Sequence, residues 1–590
     1  MCRNFVCDMR VTTGVITTTQ PSWRHCGAGA GPADPVGCRG IRTGSRTACL
    51  AHLSAADRAA CLAALGPGAD VDLRGTAFSE DLLRALFDAV RDPVSGDPAF
   101  GEAQFVSASF SGDTRFAGVS FSGAARFGGA SFSGDAWFVG ASFSGTARFG
   151  AAVFGGAARF DRAEFGADAR FHNAEFKGPA NFTKARFRGM GRFGEAVFSG
   201  AVEFGGTSFA DTARFAGARF DAAPHLGPLV CGRVLDLSAA VFTEPVTIEA
   251  AAAEIACRRT RWESTAILRL RHARVDLADG RLTQPIAVVG QFTPFASVPA
   301  RAEEALGSDP VVRVASIRGV DASMLTLADL NLAECVFTGA LHLDQLRLEG
   351  LSIFGTTPGG RRTRGLVPFR WTRRQVIEEE RQWRALPGRA AFARRGWGAP
   401  PPDPGAVPGL ASLTTVYRQL RKAREDSKDE PGAADFYYGE MEMRRHSFGY
   451  RRAERWLLQA YWSLSGYGLR AARALAWLVT AMIVSVFALT LWGVPSSDPE
   501  AVTTGILPGT GRRITLSTDT PPPGLTGPLT ERFTGERVEK SVQVVLNSVI
   551  FRASGQSLTT AGTYIEMTSR LIEPGFLALA LLAVRGRLKR

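Results

Sequence analysis

The sequence has no Walker A run, no G-x-S-x-G, no H-E-x-x-H and no Rossmann glycine fingerprint. Most of its seven histidines, at 25, 52, 172, 225, 272, 342 and 446, stand alone, and an isolated imidazole is usually structural or solvated. These absences argue against the common nucleotide-binding, hydrolase and metalloprotease chemistries, so the chain reads as non-catalytic. Its nine cysteines form no dense disulfide pattern, which points to a reducing compartment. No N-terminal apolar run is long enough for a secretory signal. Acid is in deficit, 56 Asp+Glu against 69 Lys+Arg, for a net charge of +13. The 590 residues allow three or four units, and the abundance of Ala, Gly and Arg suggests a GC-rich bacterial genome.

What the chain has in plenty is phenylalanine at fixed spacing. It recurs at Phe105, Phe110, Phe116, Phe121, Phe127, Phe132, Phe138, Phe143, Phe149, Phe154, Phe160, Phe165, Phe171, Phe176, Phe182, Phe187, Phe193, Phe198, Phe204, Phe209, Phe215 and Phe220. The steps alternate five and six without a miss. Alanine stands two residues before the ring in 17 of the 22 cases; Thr114, Val119, Gly191, Val202 and Thr207 are the exceptions. A helix would scatter these rings around its axis, and a flat strand needs an even period. A coil turning a corner every five or six residues points each Phe inward. Gly, Ser and Asp then supply the corners and the wetted outside. Coils stack with a rise of ~4.8 Å from strand-type hydrogen bonding. Each ring removes roughly 150–200 Å² from water, so the ladder is itself the core.

The units Ala108-Ser109-Phe110, Ala130-Ser131-Phe132, Ala163-Glu164-Phe165 and Ala174-Glu175-Phe176 resemble the pentapeptide-repeat family, in an actinobacterial-type F-x-G-A-x-F variant. The resemblance implies a mainly β fold, a right-handed four-sided β-helix with the rings inward. The sixth residue in alternate units departs from the strict form and suggests bulged corners. Some members of this family mimic DNA, which requires an acidic rod. Residues 101–222 hold 11 acids against 13 bases, which argues against that role and against a nucleic-acid partner.

Ahead of the ladder, 1–53 is a Cys/His segment. Its Cys2 and Cys7 lie in a loose tail, and Cys26, Cys38, Cys49 and His52 follow with spacing C-x11-C-x10-C-x2-H. Three thiolates and an imidazole would complete a structural zinc site. Residues 54–102 read as a helical cap, with short helices at 54–65 (Ser54 the N-cap) and 79–91 covering the open end of the ladder. The Phe-ladder solenoid occupies 103–222. A degenerate aliphatic continuation over 223–357 repeats Asp236, Leu237, Thr243 and Pro245 as Asp276, Leu277, Thr283 and Pro285, 40 residues or about two coils later. A break is expected near 291–310.

Residues 358–410 are rich in Arg (361, 362, 364, 370, 373, 374, 381, 384, 389, 394, 395) and Trp (371, 383, 397), and end in a proline-rich linker. Three readings stay open: an anionic membrane surface, a plain structural helix over 372–386, and nucleic-acid binding. Residues 411–470 read as a helical connector containing a hairpin. Within it Glu440 and Glu442 face different ways on one helix and do not form a catalytic pair.

The last segment, 471–590, reads as a membrane module. Residues 474–494 carry no charge over 21 positions, enough to span, with Trp477 and Trp492 as interfacial anchors. Arg444, Arg445, Arg451, Arg452, Arg455, Arg470 and Arg473 precede it and predict a cytoplasmic side. Then come an external loop over 495–540, a short helix over 541–551 and a second span over about 562–584, before the basic end Arg585, Arg587, Lys589 and Arg590. The order resembles the pore module of two-helix potassium channels, with Thr559, Thr560 and Gly562 at the filter-like turn. Thr560-Ala561-Gly562-Thr563-Tyr564 lacks the filter's second Tyr-Gly, and Glu566, Arg570 and Glu573 burden the second span.

The reading is therefore a cell-membrane, multi-pass scaffold with two spans, its solenoid and C-terminus cytoplasmic, meeting a protein partner and the lipid bilayer. The alternative is a subunit of a channel-like homo-oligomer regulated by the solenoid.

Overall fold

The computed structural model describes residues 20–298, 300–359, 362–364, 367–369, 372–387, 396–449, 451–495, 501–505, 516–519, 523–525, 528–550 and 557–588. The chain divides into two compact units, residues 1–408 with 422–427, and 409–421 with 428–590.

In the first unit the phenylalanine ruler becomes a β-solenoid of about 11 turns of parallel strands. Phe121 pairs with Phe143, Phe143 with Phe165 and Phe165 with Phe187, a coil of 22 residues. Four ring columns follow. In the column Phe110, Phe132, Phe154, Phe176, Phe198, Phe220 the centroids are 4.8–5.1 Å apart and the planes lie within 6°. That separation is the strand spacing. Opposite columns meet edge to face, as Phe116 and Phe127 do at 5.4 Å and 85°, which sets a positive ring edge against a negative face. Ala125, Ala147 and Ala169 stack in register beside the rings. Room there is small: at Gly191 an added methyl would meet the Phe209 ring at 2.5 Å.

The alternating step has a structural cause. Five-residue corners are hydrogen-bonded turns, with Ala108 N–H donating to Phe105 O and Ala130 N–H to Phe127 O, both at 3.1 Å. Each holds a left-handed residue two after the Phe: Ser107, Gly118, Gly129, Gly140, Ala151, Arg162 and onward every eleven positions. Six-residue corners bond to the neighbouring coil instead. Asp135 N–H donates to Asp113 Oδ1 at 3.1 Å and Ala157 N–H to Asp135 Oδ1 at 2.8 Å.

The columns outrun the ruler. Phe78 stacks on Phe110 and Phe100 on Phe121, so the ladder starts inside the segment read as a cap. Helix α1 (Ala55–Ala63) begins at the N-cap Ser54. Helix α2 (Glu80–Ala89) lies between Phe78 and Phe100 in the chain and sets Phe87 edge-on against Phe116 at 5.1 Å. Downstream, Phe242 and Trp262 extend one column. From Val241 the coil shortens to 20 residues, Val241 pairing with Arg261 and Arg261 with Arg281. Four five-residue steps fit that length. Asp236 lies in register with Ala256, and Ala256 with Asp276, which accounts for the 40-residue repeat.

Between Gly290 and Arg313 the chain leaves the coil, forms the short α3 (Ala300–Glu304), and packs Phe295 and Val298 on Val230 and Ala251. Glu303 there pairs with the buried Arg271. The coil resumes with Ile286 pairing to Leu325, and Thr326 to Arg347. Helix α4 (Glu378–Ala385) closes this end. Its Glu379 Oε1 accepts from Phe337 N–H at 2.6 Å and Thr338 N–H at 2.8 Å. Glu380 is buried between Arg374 and Arg384, each at 2.6 Å, and Arg384 lies over the Trp397 ring at 4.9 Å. Of the structural helix expected over 372–386, only Glu378–Ala385 forms, because Gln375–Val376 pairs as a strand with Gly355–Thr356. Arg361, Arg370, Trp371, Arg389, Arg394 and Arg395 lie outside the described residues.

Helices α5 (Leu410–Asp426), whose last turn from Lys422 is grouped with the first unit, and α6 (Glu430–Ser447) form the expected hairpin. Gly439 leaves the room that the Tyr417 ring fills, since a Cβ there would lie 2.5 Å from it. Helices α7 (Ala453–Ser465), α8 (Ala471–Ala488), α9 (Gly535–Ile550) and α10 (Thr560–Leu588) follow. Helix α9 begins at Gly535, within the segment read as external loop. Its first turns, Gly535-Glu536-Arg537-Val538, are amphipathic rather than apolar, so a search for apolar runs starts it too late.

Candidate functional site

Cys26, Cys38, Cys49 and His52 converge, their ligand atoms all within 4.8 Å of one another. Cys26 and Cys38 are held by a backbone ladder, Cys26 N–H to Gly40 O at 2.8 Å and Gly27 N–H to Cys38 O at 2.9 Å. The turn Cys49–His52 closes through His52 N–H to Cys49 O at 2.9 Å. The edges are Cys38 Sγ to Cys49 Sγ 3.7 Å, Cys49 Sγ to His52 Nδ1 3.4 Å and Cys26 Sγ to His52 Nδ1 3.7 Å. A tetrahedral zinc with bonds of ~2.3 Å to sulfur and ~2.0 Å to nitrogen has edges of about 3.5–3.8 Å. The donor set fits a structural zinc in number, type and size, and the sulfur separations are far from disulfide bonding. Gly40 N–H points at Cys38 Sγ, 3.4 Å away, and a Cβ on Gly40 would meet Cys49 Sγ at 2.8 Å. Glycine is thus required beside the ligands, a signal the ligand spacing does not carry. Burial, reinforced by Cys38 and Cys26, pushes the Cys49 thiol up to about 12. A dication removes that penalty by holding the thiolates, releasing protons as it binds.

The carboxylates on α6 are structural. Glu440 is paired with Arg418 at 3.0 Å and Arg421 at 3.4 Å. Glu442 accepts from Arg445 at 2.7 Å and from the Tyr467 hydroxyl at 3.1 Å.

Two helices are long and apolar enough to cross a membrane, Ala471–Gly493 and Thr560–Val584. The first continues α8 through a π turn, Leu489–Gly493. A helix end leaves carbonyls unpaired, and here four successive ones are taken. Arg532 Nη1 donates to Leu491 O at 3.3 Å, Thr559 Oγ1 to Trp492 O at 2.6 Å, Thr559 N–H to Gly493 O at 3.0 Å and Arg537 Nη2 to Val494 O at 2.6 Å. Gly493 and Gly562 make the crossing possible: a Cβ on Gly562 would lie 2.8 Å from the Gly493 Cα.

Thr559, Thr560 and Gly562 form the start of a helix. Thr559 caps α10, its Oγ1 accepting from Gly562 N–H at 3.1 Å and its carbonyl from Thr563 N–H at 2.9 Å. Thr560 opens the helix. A selectivity filter coordinates ions with backbone carbonyls; the cap commits this backbone to helix bonding. The Ser548, Ser569 and Glu573 cluster within the bundle is not legible as a site in the sequence, where Glu573 is only a charge in an apolar run.

Repeat coils, a core of stacked rings and a capping element at each end define a β-solenoid scaffold. The comparison with known families agrees: a family model described as pentapeptide repeats (9 copies) matches residues 105–153 and 149–196, and this part of the chain is a pentapeptide-repeat solenoid. No curated protein and no solved structure matches the chain.

Proposed function

We propose that the protein is a membrane-anchored, non-catalytic scaffold whose solenoid meets a protein partner on the cytoplasmic side. The observation that carries the reading is the joining of two apolar helices to a long repeat solenoid in one chain. Val479, Ile483, Val484 and Phe487 on α8, and Leu571, Leu581 and Leu582 on α10, are exposed, the surface lipid would cover. The arginines before Ala474 set the orientation by the positive-inside rule. A structural zinc at Cys26, Cys38, Cys49 and His52 steadies the segment before the solenoid. The channel reading loses support because Thr560–Gly562 is helical, and flux through liposomes that vanishes on truncation before Ser541 would restore it.

The test is sidedness in the full-length protein. Alkaline carbonate should leave it in the membrane. Protease outside intact cells should cut only between 495 and 534, and protease on inverted vesicles should digest the solenoid. Release by carbonate, or digestion of the solenoid in intact cells, overturns the reading.

A further inference from the structure

Glu573 is fully buried within a helix long and apolar enough to cross a membrane. Glu566, two turns earlier on the same side of the helix, is paired with Arg570 at 2.7 Å. Glu573 has no ion-pair partner among the described residues. Its Oε2 accepts from Ser548 Oγ on α9 at 3.2 Å, and Ser548 Oγ lies 3.0 Å from Ser569 Oγ. Its Oε1 has no hydrogen-bond partner. The carboxyl lines a groove of about 340 Å³ between α8 and α10, together with Ser485, Thr568 and Ser569. The facing stretches Ala481–Ala488 of α8 and Val542–Ile550 of α9 carry no ionisable group, and Tyr564 is the groove's other titratable residue. Pro574 follows directly and lacks the N–H that would bond the Arg570 carbonyl.

An uncompensated carboxylate in such a place is expensive, and acids inside apolar spans mark ion or proton sites. The donors are all hard oxygens: one carboxylate and serine or threonine hydroxyls. Soft thiolate or imidazole ligands are absent from the groove lining, which disfavours a transition metal. We propose that Glu573, with Ser548 and Ser569, holds a small hard monovalent cation, a proton or Na⁺, inside the helix bundle. The inference rests on the membrane reading above.

The test is carbodiimide labelling of carbonate-resistant, full-length protein in liposomes, with the modified residue located by mass spectrometry. Label is expected on Glu573 at low pH and should fall away as the pH is raised. If Na⁺ but not choline suppresses it at fixed pH, the ligand is Na⁺; if pH alone does, the ligand is the proton. Glu573→Gln should lose the label. Ser548→Ala, which removes one donor, should shift the half-labelling point by roughly tenfold in the competing cation. Labelling of Glu573 that is absent, or unchanged by both pH and Na⁺, overturns the site while leaving the anchor intact. Extraction by carbonate overturns the anchor first and the site with it. The wild-type profile decides even if a variant does not fold.

Discussion

Phe149 illustrates what one ring contributes. It is fully buried, stacked on Phe127 and Phe171 at 4.9 Å each and edge-on to Phe138, Phe143 and Phe160. Coils pinned by strand pairing above and below cannot collapse into the gap, so Phe149→Ala should cost about 3–5 kcal/mol in chemical denaturation. Phe292→Ala, on an exposed side chain, should stay within about 0.5 kcal/mol; equal losses would refute the ladder as the core. Purified protein should also carry about one zinc per chain. Cys49→Ser and His52→Ala should lose it, whereas Cys61→Ser, outside the cluster, should keep it. Unchanged metal content in Cys49→Ser would refute the site. At this scale most of the ladder is legible in the sequence, because a ring must occupy every inward position. Phe78 and Phe100 escape notice because a cap helix interrupts the count, Phe242 because Leu226, Cys231 and Leu237 take the inward places before it, and Trp262 because the coil there is shorter.

Among the elements, the end caps contribute most clearly. Glu379 satisfies two backbone donors of a late coil. Glu379→Ala strands both and should cost about 2–4 kcal/mol, while Glu379→Gln keeps an acceptor oxygen. Burial raises the Glu379 carboxyl above its ordinary 4.5, so the folded state binds its proton more tightly than the unfolded state does. Its contribution is therefore present at low pH and is lost as pH rises from 4.5 through the raised value. Wild type should lose stability relative to Glu379→Gln across that window; the reverse trend in paired denaturation curves would refute the role. The acids at 378–380 are not legible as a cap from sequence. The partners of Glu379, Phe337 and Thr338, lie on another turn of the solenoid, and a run of three glutamates ordinarily reads as a solvated helix start.

For the whole molecule, the repeat solenoid and the apolar helices fall in separate compact units. Truncation before Ala471 should move the protein from the carbonate-resistant to the soluble fraction. A truncated chain that stays with the membrane would mean the anchor lies elsewhere, with the Arg- and Trp-bearing segment as the first place to look.

The sequence by itself determined the solenoid, its approximate length, the two apolar helices and the set of three cysteines and one histidine that converge. Each of these is a matter of period, composition or ligand type, and such properties are local. Tertiary structure alone decided that Thr559 caps a helix, that Glu440 and Glu442 are absorbed in ion pairs, and that Glu573 keeps an oxygen without a partner. Those outcomes depend on which groups from distant parts of the chain arrive within about 3 Å, and spacing along the chain does not encode such meetings.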